Sequence, residues 1–498
     1  MTSISRYWPI AALFAVGCRS GDTAPPPASA PTQTSVADAS QPAEGQPAPA
    51  QAPQAPLPDH AVLDDAIKAA KLRAQREVLG KSDEPQPELL PLPDGPLPGA
   101  TLTGDPMPGF FTPLVMPPQG DPLAPLHKAL DELEAGTRTE PVRLAMYGAS
   151  GTAADLWTAY LRRYLQARFG DAGPGIVSAA PHNRWYRHHE FSVKSSKHWT
   201  KHNSYRRSGE DDPGLYGPMG VCHDTDSKRA WTEIKKGRRA PSDRSLAYYE
   251  LLHLEQPGGG SYRVFLDGTE VASIATGLPS GVKRPRLGTH RIELDSGQPA
   301  LRLQATGDGI VRLFGVIAET NTPGIVVDTL GFDGAKIANQ LLWDEALWAE
   351  SIRRRDPVLY VLAFGTNSSV NEEDPLSEWE AGYRTVLDRF RKTLPKAGCV
   401  VFGPGDYPIV ENGQVLPRPR LNEIRAIERR LAPEYGCAYW DALSFVGGEG
   451  AKPAWVESGL AREDYLHLTR AGYVRLGIGF ADALMQRYDW RKVQEAKD

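Results

Sequence analysis

The chain has 498 residues, 41% of them hydrophobic and 23% charged, with 56 basic against 61 acidic side chains and a net charge of -5. This balance excludes a fibrous or wholly disordered chain and gives no electrostatic reason to expect nucleic acid as a partner. The four cysteines, at 18, 222, 399 and 437, include no CxxC pair, so neither a disulfide framework nor a zinc site is written into them, and no metal or cofactor is expected.

More than half of the 44 prolines stand before residue 126, so the folding unit is the remainder, roughly 370 residues, enough for a substantial core. Residues 1–18 carry one Arg6 and an apolar run from Trp8 to Gly17 that is too short to span a bilayer as a stable helix. A targeting segment is the better reading. A small residue followed directly by Cys18 resembles a bacterial lipoprotein signal, although Ala15 stands where leucine is usual; that resemblance implies lipidation at Cys18, and plain secretion is the alternative. Residues 19–58, almost wholly Ala, Pro, Gln, Ser, Gly and Thr, read as a disordered, extended tether. Residues 59–121 read as an isolated amphipathic helix ending near Leu79, followed by a Pro-rich arm that packs over the main domain.

From here the pattern changes. Residues 122–180 hold the strand VRLAMYGAS and a helical segment after it. Residues 324–490 hold four more short apolar runs, at 324–334, 357–367, 399–406 and 437–445, each leading into a helix. Strands alternating with helices predict a parallel sheet covered on both faces, with chemistry at the carboxyl ends of the strands. Between these halves, 181–323 offers short alternating strands with Gly-Asp and Pro-Gly-Gly-Gly turns, an inserted all-β sandwich or jelly roll.

The strand ends carry the candidate chemistry. Ser150 stands at a glycine-flanked turn before a helix, where it is either a helix cap or a nucleophile. Asn367 stands at the end of the third strand, where it either closes its own turn or offers an amide to a bound oxygen. Asp464 and His467, three apart before the last helix, have the spacing for a carboxylate to fix an imidazole tautomer.

Taken in order, GASGTAAD (148–155), GFDGAK (331–336), FGTN (364–367) and DYLHLTRAGY (464–473) resemble the motifs of the SGNH or GDSL hydrolase family, whose sheet is flavodoxin-like. The resemblance implies a serine hydrolase of ester bonds: Ser150 as nucleophile, His467 as general base, Asp464 orienting it, and an oxyanion hole from the N–H groups of Ser150 and Gly334 with the amide of Asn367. One departure stands out, because the family usually has Asp before the nucleophile and here it is Ala149; a catalytically weak glycan-binding protein is the reading that departure favours.

With an inserted β module and a lipoprotein-type start, the chain is similar to bacterial cell-wall O-acetylesterases of the peptidoglycan type. That implies removal of acetyl groups from an envelope polysaccharide, by a protein lipid-anchored at the periplasmic or outer-membrane side, or secreted if Cys18 is not used. Transfer of the acyl group to a sugar hydroxyl uses the same residues. The basic and aromatic stretch 182–207 contains Trp185, Tyr186, Trp199 and Tyr205, which are either possible glycan contacts or core of the β module. Cys399 and Cys437 begin neighbouring strands, as a disulfide or as two buried thiols.

Overall fold

Period-2 alternation in Val142–Gly148 sends Leu144 and Met146 into one core and Ala145 and Tyr147 into another, which a strand can do only when both faces of its sheet are covered. A computed structural model describes residues 65–80, 111–183, 186–204 and 213–495. Five parallel strands form the central sheet: β1 (Val142–Gly148), β2 (Ile325–Gly331), β3 (Leu359–Ala363), β4 (Gly398–Phe402) and β5 (Ala438–Trp440), in the order β2-β1-β3-β4-β5. This is the doubly wound, flavodoxin-like order, whose switch point lies between the first strand and its neighbour β3. Leu114–Val115 closes the edge by pairing antiparallel with β5.

The register aligns Gly148 with Gly331 and with Ala363, Ala363 with Phe402, and Phe402 with Trp440. All five strands therefore finish along one line. Helices Trp157–Phe169 and Arg470–Glu495 cover one face, while Glu345–Arg355, Leu376–Thr393 and Pro419–Glu434 cover the other. Cys399 and Cys437 form a disulfide across β4 and the start of β5, with Cα atoms 4.8 Å apart.

The insertion is a sandwich of two antiparallel sheets, of five and six strands, around one apolar core. Its clearest hairpin, Ser261–Leu266 with Thr269–Ala275, turns on Asp267 and Gly268, both at positive φ (45° and 88°), as a two-residue hairpin requires. The insertion starts earlier than residue 181: strand Gly175–Ser178 pairs with Val311–Glu319 in the larger sheet.

Charge as well as apolar contact joins the sandwich to the central sheet. Glu319, on a sandwich strand, accepts from Arg355 (2.6 Å), from Arg143 of β1 (2.7 Å) and from the Tyr248 hydroxyl (2.6 Å). Arg355 also binds Asp328 of β2 at 2.7 Å, and Asp328 accepts the backbone N–H of Ile176 at 2.9 Å. Burial raises the Glu319 pKa, but the two guanidinium groups outweigh it and hold the carboxyl at about 2. Removing one partner from such a cluster leaves an uncompensated buried charge.

The helix Asp65–Leu79 is not isolated. Ala70, Ala74 and Val78, at i, i+4 and i+8, are buried in the core that this helix shares with Trp157–Phe169 and Arg470–Glu495; small residues on one face allow the close approach. Lys71 pairs with Asp482, and Glu77 with Arg163 at 2.5 Å. Cys18, the tether 19–58 and most of the Pro-rich arm lie outside the described residues.

Candidate active site

The turn after β1 is built for close approach. A Cβ on Gly148 would stand 2.1 Å from Thr152 Oγ1 and 3.0 Å from the Ala363 carbonyl, and one on Gly331 would stand 2.7 Å from the Ala153 nitrogen. Only glycine fits at either position, so the short helix Ser150–Ala153 sits directly on the ends of β1 and β2. The Ala149 carbonyl accepts the N–H groups of Thr152 (3.0 Å) and Ala153 (2.9 Å). At Gly151 a Cβ would meet the Tyr473 ring at 3.3 Å, so the residue after the serine is pressed against the last helix.

Ser150 Oγ lies 3.2 Å from His467 Nε2, and His467 Nδ1 lies 2.8 Å from Asp464 Oδ2. The other Asp464 oxygen accepts the backbone N–H groups of Leu466 (3.0 Å) and His467 (2.9 Å). Tyr465, between them, adopts φ +54°, a left-handed conformation that is costly for an aromatic residue and that folds the carboxylate back onto the imidazole. Partial burial raises the Asp464 pKa, but the imidazole and the two backbone N–H groups more than offset it, and the carboxyl ends below its ordinary range. It stays ionised at neutral pH.

Asn367 follows Gly365 (φ +99°) after β3, and its Nδ2 donates one hydrogen to the Ala335 carbonyl at 3.0 Å. This ties the third strand's turn to the Gly334–Ala335 loop, where Gly334 has φ +75°. Among the described residues, the backbone N–H groups of Ser150 and Gly334 donate to no protein acceptor, and the second Asn367 hydrogen is likewise unspent. A cavity of about 130 Å³ opens beside Ser150, Asn367 and His467, walled by Trp157, Phe402, Leu468 and Tyr473. A larger cavity, about 590 Å³, is lined by Asp171, Arg244 and Thr322 at the sandwich junction. It contains none of these groups, and its Arg163 and Arg244 are already paired with Asp171, so no chemistry is assigned to it.

Asp155, in the same motif as Ser150, supports the turn from below. Fully buried, it accepts from Thr158 Oγ1 (2.8 Å), Thr329 Oγ1 of β2 (2.9 Å), Arg162 (2.8 Å) and the His189 N–H of the insertion (2.7 Å). Burial raises its pKa, but the Arg162 guanidinium dominates and holds the carboxyl far below its usual range. Sequence reasoning missed this role, and also missed Asp406 and Lys452, which line the small cavity; the only signal was Gly403-Pro404-Gly405-Asp406 at the carboxyl end of β4.

Two of the four aromatic residues read as possible glycan contacts are corrected. Tyr186 is buried in the sandwich core with its hydroxyl accepting the Ser178 N–H at 2.7 Å, and Trp199 is buried with its indole N–H on the Trp231 carbonyl at 3.0 Å. Neither has a free face for a sugar ring, because the apolar interior between the sheets takes both. Trp185 and Tyr205 lie outside the described residues. The stretch nevertheless passes the site, since the Arg187 N–H meets the Ala153 carbonyl at 3.4 Å.

Residues 298–475 match the profile of the GDSL-like lipase/acylhydrolase family. The match takes in the last two strands of the insertion together with Gly334, Asn367, Asp464 and His467, but not Ser150, which precedes it in the chain. No curated protein matches the sequence. A solved structure described as "Peptidoglycan O-acetylesterase in action, 5 min" superposes with a TM-score of 0.61 at 20% identity, covering 75% of this chain and 99% of that one; the two share a fold. An acetyl xylan esterase, AlAXEase, aligns at 18% identity with a TM-score of 0.26 over 33% of this chain and 82% of its own. A family two carbohydrate esterase from Cellvibrio japonicus aligns at 11% identity with a TM-score of 0.24 over 60% and 99%.

Proposed function

We propose that this GDSL-family domain is a serine esterase that removes acetyl groups from a cell-envelope polysaccharide through an acyl-enzyme on Ser150. The observation that carries the reading is the relay Ser150–His467–Asp464, with contacts of 3.2 and 2.8 Å. His467 Nε2 takes the Ser150 proton as Oγ bonds to the acyl carbon, and then returns it to the departing sugar oxygen. Water then repeats the sequence: His467 accepts a proton from it as its oxygen bonds to the acyl carbon, the acyl–Oγ bond breaks, the proton passes from His467 to Oγ, and acetate leaves. Asp464 holds the imidazole with Nδ1 protonated so that Nε2 is free to act as base.

The oxyanion of each tetrahedral state has three unspent donors within reach of this reading: the N–H groups of Ser150 and Gly334 and the second hydrogen of the Asn367 amide. Preset donors of this kind are worth more than their number suggests, because they need no reorganisation as charge develops. Asn367→Ala therefore lowers kcat by about 10²- to 10³-fold with a much smaller change in KM, measured by steady-state hydrolysis of a chromogenic acetate ester.

Ala149 removes the Asp that usually supports the nucleophile turn. Here the Ala149 carbonyl caps Thr152 and Ala153 while Asp155 anchors the far end, which supports an active rather than a residual site. The peptidoglycan O-acetylesterase fold match supports a glycan ester as substrate, and lipidation at Cys18 would keep the enzyme at the envelope that contains it. Incubation with O-acetylated peptidoglycan tests this: free acetate is the expected product, and acetyl groups recovered on an added sugar acceptor instead would mark a transferase.

A further inference from the structure

The cavity beside Ser150 and His467 has a second charged wall. Lys452 lines it and is only 3% exposed. A buried ammonium is costly unless it is paired, yet among the described residues Nζ has no hydrogen-bond acceptor and no carboxylate within 4.0 Å. Two carboxylates act on it from farther away, and both are engaged elsewhere. Asp406 Oδ2 accepts the backbone N–H of Lys452 itself at 2.9 Å, and the Gly450 backbone also binds Asp406. Asp464 is occupied by His467 and Leu466.

Burial lowers the Lys452 pKa to about 8, so the group remains largely charged at neutral pH. The residue is thus buried along its stem while its ammonium, with no direct partner among the described residues, faces the cavity that Ser150 and His467 also line. A ligand complementary to the ammonium carries one negative charge placed against Nζ and away from Asp406 and Asp464, whose repulsion of any anion grows with its charge. We propose that Lys452 is a specificity-determining residue whose ammonium binds a carboxylate carried by the substrate close to the ester. This rests on the esterase reading above. The carboxylate belongs either to an acidic sugar bearing the acyl group or to the far end of a dicarboxylic acyl group.

Two substrate pairs separate these sources. O-acetylated galacturonic acid oligosaccharides are compared with O-acetylated xylo-oligosaccharides, and 4-nitrophenyl hydrogen glutarate with 4-nitrophenyl acetate. For each pair the ratio of kcat/KM values, carboxylated over neutral, is measured in the wild type, Lys452→Met, Lys452→Gln and Lys452→Arg. A charge-assisted contact predicts a fall of about tenfold or more in one ratio for Met and Gln, largely restored by Arg. The pair that responds identifies the source. A change below tenfold in both ratios overturns the proposal, and having two neutral variants keeps one misfolded protein from deciding it. A wild type that hydrolyses none of the four esters overturns the esterase reading itself, and this assignment with it.

Discussion

Ser150→Ala is expected to lower kcat/KM for a small acetyl ester by about 10⁴-fold or more, and His467→Ala by a similar factor, because a proposed nucleophile and its base act as a unit. The double variant is expected to be no worse than either single one. That non-additivity distinguishes a relay from two residues that each merely shape the cavity, for which the losses would multiply. Both side chains are partly exposed at the sheet edge, so folding is expected to survive either substitution, as thermal unfolding would report. Turnover within tenfold of the wild type in either variant would remove the mechanism.

Asp155→Ala is expected to cost about 3–5 kcal/mol of stability, the usual loss when one member of a buried ion pair is removed. Among the described residues, the charge on Arg162 would then have only the Glu190 carboxylate left to face it, at 3.2 Å, while Thr158, Thr329 and the His189 N–H would lose their acceptor. Since Asp155 ties the nucleophile turn to β2 and to the insertion, kcat should fall as well. Denaturant unfolding measures the first effect. A loss below about 1 kcal/mol would mean that the turn is held by Gly148 and Gly331 alone.

The sequence carried the parts of this fold that local patterns can specify. Alternating strands and helices predicted the parallel sheet covered on both faces, and short alternating strands between turn residues predicted the β module. Ser150, Asn367, Asp464 and His467, which the structure brings to one cavity, stood out as candidates because each sits at a strand or helix boundary with a glycine or a short spacing beside it. What depended on partners distant in sequence was not legible. Strand Gly175–Ser178 is four residues long and pairs with Val311–Glu319, far along the chain. The helix Asp65–Leu79 looked solitary because its alanine face says nothing about what covers it. Tyr186 and Trp199 could serve as core or as binding platform until the second sheet closed over them. Lys452 has no local signature, and its meaning comes only from the missing partner around Nζ.

The central claim is that His467 and Asp464 activate Ser150, and an alkyl fluorophosphonate tests it most directly, since it reacts quickly only with an activated serine. The expected result is one adduct, located by peptide mass spectrometry on Ser150 and lost in His467→Ala. An unlabelled Ser150 in a protein that still hydrolyses acetyl esters would contradict the account, as would labelling that persists unchanged without His467.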